Sequence, residues 1–504
     1  MNNNSILKNS ILLYCRMFIS MIVSFYTTKV VLEVLGVADY GLRNVIAGFA
    51  SMFTYFNGVL QAGTSRFIAI YIGRKDLLKL KECFGNAILI HLAIAIVILI
   101  LAETIGLWFV NNELNIEISR YNAANWVYQY AIIGCIISVI QTPFVAVTTA
   151  HEKFDIYAYL SILDVILKLL IVYLLKVLPG DKLVIYSFLL LCTQIAIFFI
   201  YVTVSRRRFE ECQGRIETDN QLIKKMLKYS GWTATGNLSV ILSNQGINVI
   251  MNIFYGTVVN AAKGLADTIT WLVKSFASSI LTATVPRMTK LYGEGNIVEL
   301  NKTIFQSSQL CVFFISVLAL PVVLEIDVFM NLWLNEVPQY TTDFIKIVLI
   351  NSVLAFPTTT LEQGINAIGI VKKSALWLSP VYLSYFPISY AIMYFGGSPI
   401  TVYYLLYVIS IVALSIQLYI INTKIDFPYI KYLIKIPITS IIIFSLSYLI
   451  SYYIQQQFEP SLFRLLFICA LSMLVYCFIY YTIALSKDNK KELVKIIRQK
   501  LHIN

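Results

Sequence analysis

Apolar runs of about 20 residues recur along the whole of this 504-residue chain, each long enough to cross the ~30 Å hydrocarbon core of a bilayer. In lipid such a run must satisfy its own backbone hydrogen bonds, and the runs lack a β-barrel's short alternating strands, so each is expected to be a helix. Charged residues make up 13% of the chain, about half the share of a soluble protein. These features predict an all-α polytopic membrane protein and exclude disordered, collagen-like and disulfide-built chains.

Hydropathy predicts about fourteen transmembrane helices. Their approximate bounds are 10–34, 41–70, 83–108, 123–147, 156–177, 184–204, 229–255, 264–286, 303–329, 344–368, 374–395, 401–422, 436–454 and 462–485. We expect two six-helix lobes plus two appended C-terminal helices. The predicted regions are an N-lobe (1–204), a basic cytoplasmic linker (205–228), a C-lobe (229–422), the appended spans (423–485) and a basic cytoplasmic tail (486–504).

The loops between the spans differ sharply in charge. Alternate loops on one side, together with the two ends of the chain, hold 27 lysines and arginines, whereas those on the opposite side hold three, Arg120, Lys182 and Lys263. The positive-inside rule therefore places both termini in the cytoplasm. The membrane that the chain crosses is expected to be the cytoplasmic (inner) membrane. The net charge of +12 reflects this topology and gives no reason to expect a nucleic-acid partner.

A weak internal repeat appears when the chain is shifted by 220 residues. Gly36 then falls on Gly256, and Arg43 falls on Lys263, within hairpins of matching outline. Many transporters are built from such repeats and hold their substrate between them. The repeat predicts two lobes in parallel orientation.

Residues 30–69, VVLEVLGVADYGLRNVIAGFASMFTYFNGVLQAGTSRFIA, resemble the first hairpin of Wzx-type polysaccharide flippases. These belong to the superfamily that includes the MATE drug exporters and the lipid II flippases. The segment PTTTLEQGINAIGIVKK at 357–373 resembles the same family's tenth span. The resemblance implies transport of a lipid-linked oligosaccharide by alternating access of two lobes. It also implies that spans one, two, seven and eight line a central cavity.

Two cations inside the spans have no acidic residue one helical turn away. Arg16 lies in the first span, and Lys274 lies near the middle of the eighth, with Asp267 two turns distant on the same face. Embedded charges are costly unless they are paired or wet, so they are functional candidates. By the resemblance, these two would face an anionic headgroup in the cavity. Partners on other helices are the alternative.

The seventh span carries a helical face of amides, Asn237, Asn244, Asn248 and Asn252. Amides can bind sugar hydroxyls, but they also hold membrane helices together. Asn237, Asn244 and Asn248 are therefore candidate substrate contacts as well as candidate helix contacts.

Three pairs of opposite charge stand four residues apart, a spacing that lets side chains meet on a helix. They are gate or ion-pair candidates: Lys29 with Glu33, Asp39 with Arg43, and Asp164 with Lys168. Lys176, Lys346 and Arg464 lie near span ends, where they are expected to extend toward the headgroups.

The leading hypothesis is a flippase for an undecaprenyl-type diphosphate-linked oligosaccharide, serving O-antigen, lipopolysaccharide or capsule assembly. A MATE-like exporter and a membrane polysaccharide polymerase are the alternatives. No catalytic motif or metal-ligand pattern is found, so neither an enzyme nor a cofactor is predicted. Coupling to a proton or sodium gradient is expected. The partners expected are the lipid-linked oligosaccharide, membrane lipids, and polymerase and assembly proteins.

Overall fold

The computed structural model describes residues 3–54, 56–151, 153–213 and 217–484, and within these ranges the regular structure is helical, without strands. The helices are α1 (Asn3–Thr54), α2 (Phe56–Arg74), α3 (Leu77–Leu101), α4 (Leu107–Asn112), α5 (Tyr121–Ala150), α6 (Phe154–Val177), α7 (Lys182–Arg208), α8 (Asn220–Tyr255), α9 (Thr257–Gly293), α10 (Ile297–Trp333), α11 (Thr341–Ile368), α12 (Val371–Tyr394), α13 (Pro399–Asn422), α14 (Tyr429–Leu433), α15 (Thr439–Gln455) and α16 (Leu462–Ile483).

Eight helical segments of the described chain are long and apolar enough to cross a membrane. They are Leu77–Asn112, Ile118–Ala150, Lys182–Arg208, Ile297–Trp333, Thr341–Ile368, Pro399–Asn422, Tyr429–Gln455 and Leu462–Ile483. The prediction of an all-α, multi-pass membrane protein is confirmed. The predicted tail at 486–504 lies outside the described residues.

The predicted break between the first two spans is a kink within a helix rather than a loop. Gly36 has φ 77° and ψ 168°, and helix α1 resumes on either side of it. The connection between α8 and α9 is equally short, because Gly256 alone separates them, with φ 74° and ψ −170°. Positive φ with ψ near 180° is essentially restricted to glycine. A single glycine therefore interrupts the helical backbone at each of the two positions.

The chain forms two compact units, Met1–Gly264 with Tyr382–Tyr390, and Leu265–Val381 with Ala391–Asn504. In the first unit, α8 contacts α1, α2 and α3, and α5 contacts α1, α2, α3 and α7. Its apolar core contains one cluster around Ile68 and Phe144 and another around Ile46 and Tyr128. The division into lobes at the linker remains a prediction.

The second unit is organised around α10 and α11, which pack on each other and on α13, α15 and α16. Tyr432 on α14 is fully buried there. Its hydroxyl lies 2.7 Å from the Ser308 hydroxyl and donates to the Pro357 carbonyl at 3.2 Å. One tyrosine thus joins α14 to both α10 and α11.

Candidate functional site

Four asparagines in the first unit form a hydrogen-bonded group, here called the amide cluster: Asn44, Asn248, Asn252 and Asn260. The Asn260 amide nitrogen donates to both the carbonyl and the side-chain oxygen of Asn248, each at 2.7 Å. Asn252 donates to the Asn260 side chain at 3.0 Å. Asn44 donates to the Asn260 carbonyl at 2.8 Å, and Asn248 donates to the Asn44 carbonyl at 3.2 Å. The cluster therefore joins α1, α8 and α9 by neutral hydrogen bonds.

Glycines allow the three helices to approach closely at this cluster. A Cβ on Gly41 would lie 1.8 Å from the Thr257 carbonyl oxygen, and one on Gly264 would lie 2.6 Å from the Asn44 side-chain nitrogen. Real side chains do not reach such distances, so larger residues at these positions would push the helices apart. Backbone-to-backbone packing and the asparagine contacts depend on each other.

The loop before α5 contacts the amide cluster. The Asn115 backbone N–H donates to the Asn252 side-chain oxygen at 2.8 Å. Asn252 and Asn260 are fully buried, and Asn248 is 3% exposed. Buried amides are stable only when hydrogen-bonded, and these groups bond to one another. The cluster lies close to Gly36 and Gly256, at the end of the first unit that is predicted to be the outer end.

A charged group lies at the same end of the first unit as the amide cluster. Arg120 donates to the Asp39 carboxylate at 2.9 Å and to the Asp181 carboxylate at 2.6 Å. Asp181 also caps the first turn of α7, accepting from the Leu183 N–H at 3.0 Å. Burial opposes ionisation of Asp181, but the hydrogen bond and charge of Arg120 together with the Val184 and Leu183 N–H groups outweigh it and lower the pKa of that carboxyl. One guanidinium therefore joins α1 to the start of α7.

This group corrects one predicted ion pair. Asp39 bonds to Arg120, 81 residues away, and not to Arg43 as the four-residue spacing predicts. Arg43 instead lies over the Tyr186 ring, 4.9 Å from its centroid. The other two spacings do bring charges together: Lys29 lies 3.8 Å from Glu33, and Lys168 lies 2.7 Å from Asp164. A role for any of these groups as a gate stays a prediction.

The candidate substrate amides are placed in different surroundings. Asn248 is in the buried amide cluster, where it holds helices together. Asn244, one turn earlier on α8, is exposed. The Asn237 side chain lies outside the described residues. Of the three, Asn244 is the one that the described structure leaves accessible.

The two candidate cations lie on different helices, Arg16 on α1 and Lys274 on α9. The Arg16 side chain is outside the described residues. Lys274 is half-buried, and the Asp267 carboxylate exerts an attractive charge on it. A role for either cation in binding a headgroup stays a prediction.

Polar contacts at the opposite end of the first unit hold the linker. The Asp219 carboxylate caps α8, accepting from the Gln221 N–H at 2.8 Å, and accepts from Lys79 at 3.0 Å. The Asn86 side-chain amide donates to the Asp219 carbonyl at 3.1 Å, and His151 lies 2.6 Å from the buried carboxylate of Glu211. The linker is thereby attached to α3 and to the end of α5.

Arg464 takes part in a buried ion pair in the second unit. Its side chain is 13% exposed, and its Nε lies 3.1 Å from a carboxylate oxygen of Glu325, a partner that its place near a span end did not predict. Gln455 donates to the same carboxylate at 3.0 Å. The pair attaches α15 and α16 to α10.

Sequence reasoning did not identify Asn44, Asn260 or Glu325 as candidates. Asn44 and Asn260 each stand within about two turns of a hairpin glycine, and Glu325 is an acid within an apolar span. The hydrogen-bond partners of these three residues lie 130 residues or more away in the chain, except for the contacts within the α8–α9 hairpin. Local sequence patterns therefore did not reveal them. Within the described ranges, no group of three or more His, Cys, Asp or Glu side chains could hold a metal ion.

The family model described as "Polysaccharide biosynthesis protein" matches residues 6–292. The model described as "MatE" matches residues 233–391. A search of curated protein sequences gave no match.

Solved structures of three transporters have a similar fold. Lipid II flippase MurJ in an inward closed conformation matches at a TM-score of 0.72 and 17% identity, covering 94% of this chain and 98% of its own. A multidrug resistance MATE family transporter in an inward-facing conformation matches at 0.63 and 16%, covering 81% and 97%. A MOP superfamily transporter from Pyrococcus furiosus matches at 0.58 and 15%, covering 84% and 96%. At these identities the likeness shows the fold.

Proposed function

The chain belongs to the polysaccharide biosynthesis protein family, as its residues 30–69 predict, and we propose that it is a flippase for a lipid diphosphate-linked oligosaccharide. The family match is the observation that carries this proposal. The fold supports it, because it is shared with a lipid flippase and with drug exporters. A diphosphate headgroup bearing glycans cannot cross a ~30 Å apolar layer unaided.

Alternating access needs an end that closes and opens reversibly, and the amide cluster has suitable chemistry. Its helices meet through five neutral hydrogen bonds, each with a net worth of about 0.5–1.5 kcal/mol. Separating the helices would expose the amides to water, which can replace the lost bonds. We propose that opening of the amide cluster admits the substrate to the outer side.

Within this proposal, Arg16 and Lys274 bind the diphosphate. Each would donate charge-assisted hydrogen bonds worth about 1.5–3 kcal/mol, replacing part of the headgroup's hydration. Two separated cations bind the anion weakly enough for release. Asn244, exposed on α8, and Asn237 would bind sugar hydroxyls.

Reconstitution tests the proposal directly. The purified chain would be placed in vesicles containing a fluorescent lipid-linked oligosaccharide, and an added glycosidase would cleave the glycans exposed outside. Translocation predicts that more than half of the substrate becomes cleavable, whereas protein-free vesicles stop at the outer-leaflet fraction. The same plateau with and without protein would contradict a flippase.

A MATE-like exporter of small molecules is the second candidate, since the MatE model matches residues 233–391. It predicts that vesicles with the chain move a cationic dye across the membrane and leave the lipid-linked glycan where it was. Lys274 argues against it, because an embedded cation repels a cationic drug.

We also propose the orientation given by the basic loops, with both termini in the cytoplasm and the loops at 109–122 and 330–343 outside. The membrane would be the cytoplasmic membrane, where lipid-linked glycans are assembled. A proton or sodium gradient would supply the energy. The product would pass to polymerase and assembly proteins.

A further inference from the structure

A cavity of about 310 Å³ lies inside the first unit, between the second half of α1, α5 and α7. Its polar lining consists of Arg43, Ser51, Tyr130, Ser138, Ser187 and Gln194. The space exceeds that of a single water, which occupies about 30 Å³ in the liquid. The rest of the lining is apolar, so the question is what a charged group and a few hydroxyls in a mostly apolar space can bind.

Arg43 is the charged group of this lining, and nothing described neutralises it. Asp39, one turn earlier on α1, accepts from Arg120, as does Asp181. Arg43 makes no salt bridge with any carboxylate that the structure describes, and it stacks on Tyr186 at 4.9 Å. The tyrosine ring offsets part of the cost of removing the guanidinium from water. The ring does not, however, accept a strong hydrogen bond from any of the five N–H groups of the guanidinium.

The neighbouring polar groups add donors to the cation. Ser51 and Ser187 donate their hydroxyl protons to the Gly48 and Leu183 carbonyls, at 2.7 and 2.9 Å. Ser138 accepts from Asn57 at 2.9 Å, and its own O–H group donates to no acceptor among the described residues.

Tyr130 contributes a second such hydroxyl, which has no acceptor among the described residues. Gln194, which also lines the cavity, donates from its side-chain nitrogen to the Gly134 carbonyl at 2.7 Å. The cavity thus combines the positive charge of Arg43 with the amide of Gln194 and with two hydroxyl groups that donate to no acceptor among the described residues.

We propose that this cavity binds a small inorganic anion, of which chloride is the probe. The guanidinium of Arg43 would supply the charge, and the Tyr130 and Ser138 hydroxyls would complete the coordination with water. A metal cation would be repelled by Arg43, and an apolar ligand would leave these donors unsatisfied. The site lies within the first unit, and neither of the proposed headgroup cations, Arg16 and Lys274, is among its lining residues.

The test is thermal unfolding of the purified full-length chain in detergent, titrated with sodium chloride against sodium gluconate at constant ionic strength. The wild type should gain stability with chloride in a saturable way. Arg43→Gln should weaken the apparent chloride affinity by at least about tenfold, the loss expected for one charge-assisted hydrogen bond. Arg74→Gln is the matched control, because Arg74 also lies over a tyrosine, Tyr71, but outside the cavity.

Two milder variants guard against a folding defect in Arg43→Gln. Tyr130→Phe and Ser138→Ala each remove one hydroxyl and should weaken chloride binding while leaving the stability in gluconate near that of the wild type. An arm with sodium pyrophosphate separates a free anion from a lipid headgroup. Equal responses of the wild type to chloride and gluconate, unchanged affinity in Arg43→Gln, or a response to pyrophosphate alone would overturn the proposal.

Discussion

Gly36 and Gly256 adopt the same unusual backbone conformation 220 residues apart, with φ of 77° and 74° and ψ within about 25° of each other. This offset is the one at which the sequence weakly repeats. At the same offset, Asn44 corresponds to Gly264, and a Cβ on Gly264 would lie 2.6 Å from the Asn44 amide. Equivalent positions of the two repeats thus contact each other beside the amide cluster. This relationship supports an origin of the two hairpins in one repeated unit.

Both hairpin glycines should be sensitive to substitution. Gly36→Ala or Gly256→Ala forces a Cβ into a region of φ and ψ that costs about 1–3 kcal/mol, although space for the methyl exists at both positions. The expected result is a lower midpoint of thermal unfolding in detergent. Gly58→Ala is the control, because Gly58 has helical φ and open space, and alanine there should be neutral or stabilising. Equal midpoints for Gly36→Ala and Gly58→Ala would show that the glycine at position 36 relieves no backbone strain.

Asn260→Ala should loosen the amide cluster. The change removes the partner of Asn248 and Asn252, and each buried amide left unsatisfied costs about 1–3 kcal/mol. Ala261, next to Asn260 in α9, is fully buried, so a cysteine there, in an otherwise cysteine-free chain, should then react faster with an impermeant thiol reagent. Asn244→Ala, on α8 but outside the cluster, should leave that rate unchanged. If the two variants label at the same rate, the cluster does not control access to this end.

The proposed headgroup cations should be needed for export and not for folding. Arg16→Ala or Lys274→Ala is expected to abolish or severely reduce glycan export in a flippase-null strain, with normal expression. Arg16→Lys should keep part of the activity if charge matters more than the guanidinium's shape. Lys290→Ala is the control, since Lys290 lies exposed at the end of the same helix as Lys274. Full export by both alanine variants would assign these cations no role in transport.

Breaking the Glu325–Arg464 pair should cost far more than breaking an exposed pair. Arg464→Leu leaves a buried carboxylate without its cation, and such losses are about 3–5 kcal/mol. Arg287→Leu removes an exposed partner of Glu299 and should cost about 0–1 kcal/mol. Unfolding by denaturant in detergent measures both. Adding Glu325→Gln to Arg464→Leu should recover part of the loss, and a failure to recover any would point to packing rather than charge.

Asp219 should make the attachment of the linker sensitive to acid. The hydrogen bond from Lys79, followed by the one from the Gln221 N–H, lowers the pKa of the Asp219 carboxyl. An acid whose pKa is lower in the folded state adds stability above its ordinary value of 3.8, and that stability is lost as the pH falls through the folded value. Asp219→Asn keeps a side chain suited to capping α8 but carries no charge.

The measurement is the midpoint of thermal unfolding from about pH 6 to about pH 3. The wild type should lose more stability over this range than Asp219→Asn, because only the wild type protonates this group. Parallel curves for the two proteins would mean that the contact with Lys79 contributes nothing to folding.

Hydropathy alone determined that the chain is a helical membrane protein, because a run of about 20 apolar residues can satisfy its backbone only as a helix in lipid. The segment at 30–69 likewise determined the family, since its pattern is local in the chain. What lies within one helix or one turn could be predicted from the sequence.

The partners of the polar groups were decided by the tertiary structure. A four-residue spacing shows that Asp39 and Arg43 can meet on a helix, but Arg120, on a neighbouring segment, offers two bonds to the same carboxylate. Spacing placed Asn248 and Asn244 on one face of α8, yet only Asn248 is buried against α1 and α9. In the apolar interior an unpaired polar group costs several times what a hydrogen bond contributes in water, so it takes the best partner that packing brings near. That choice depends on which helices are neighbours, which the periodicity of a single helix does not encode.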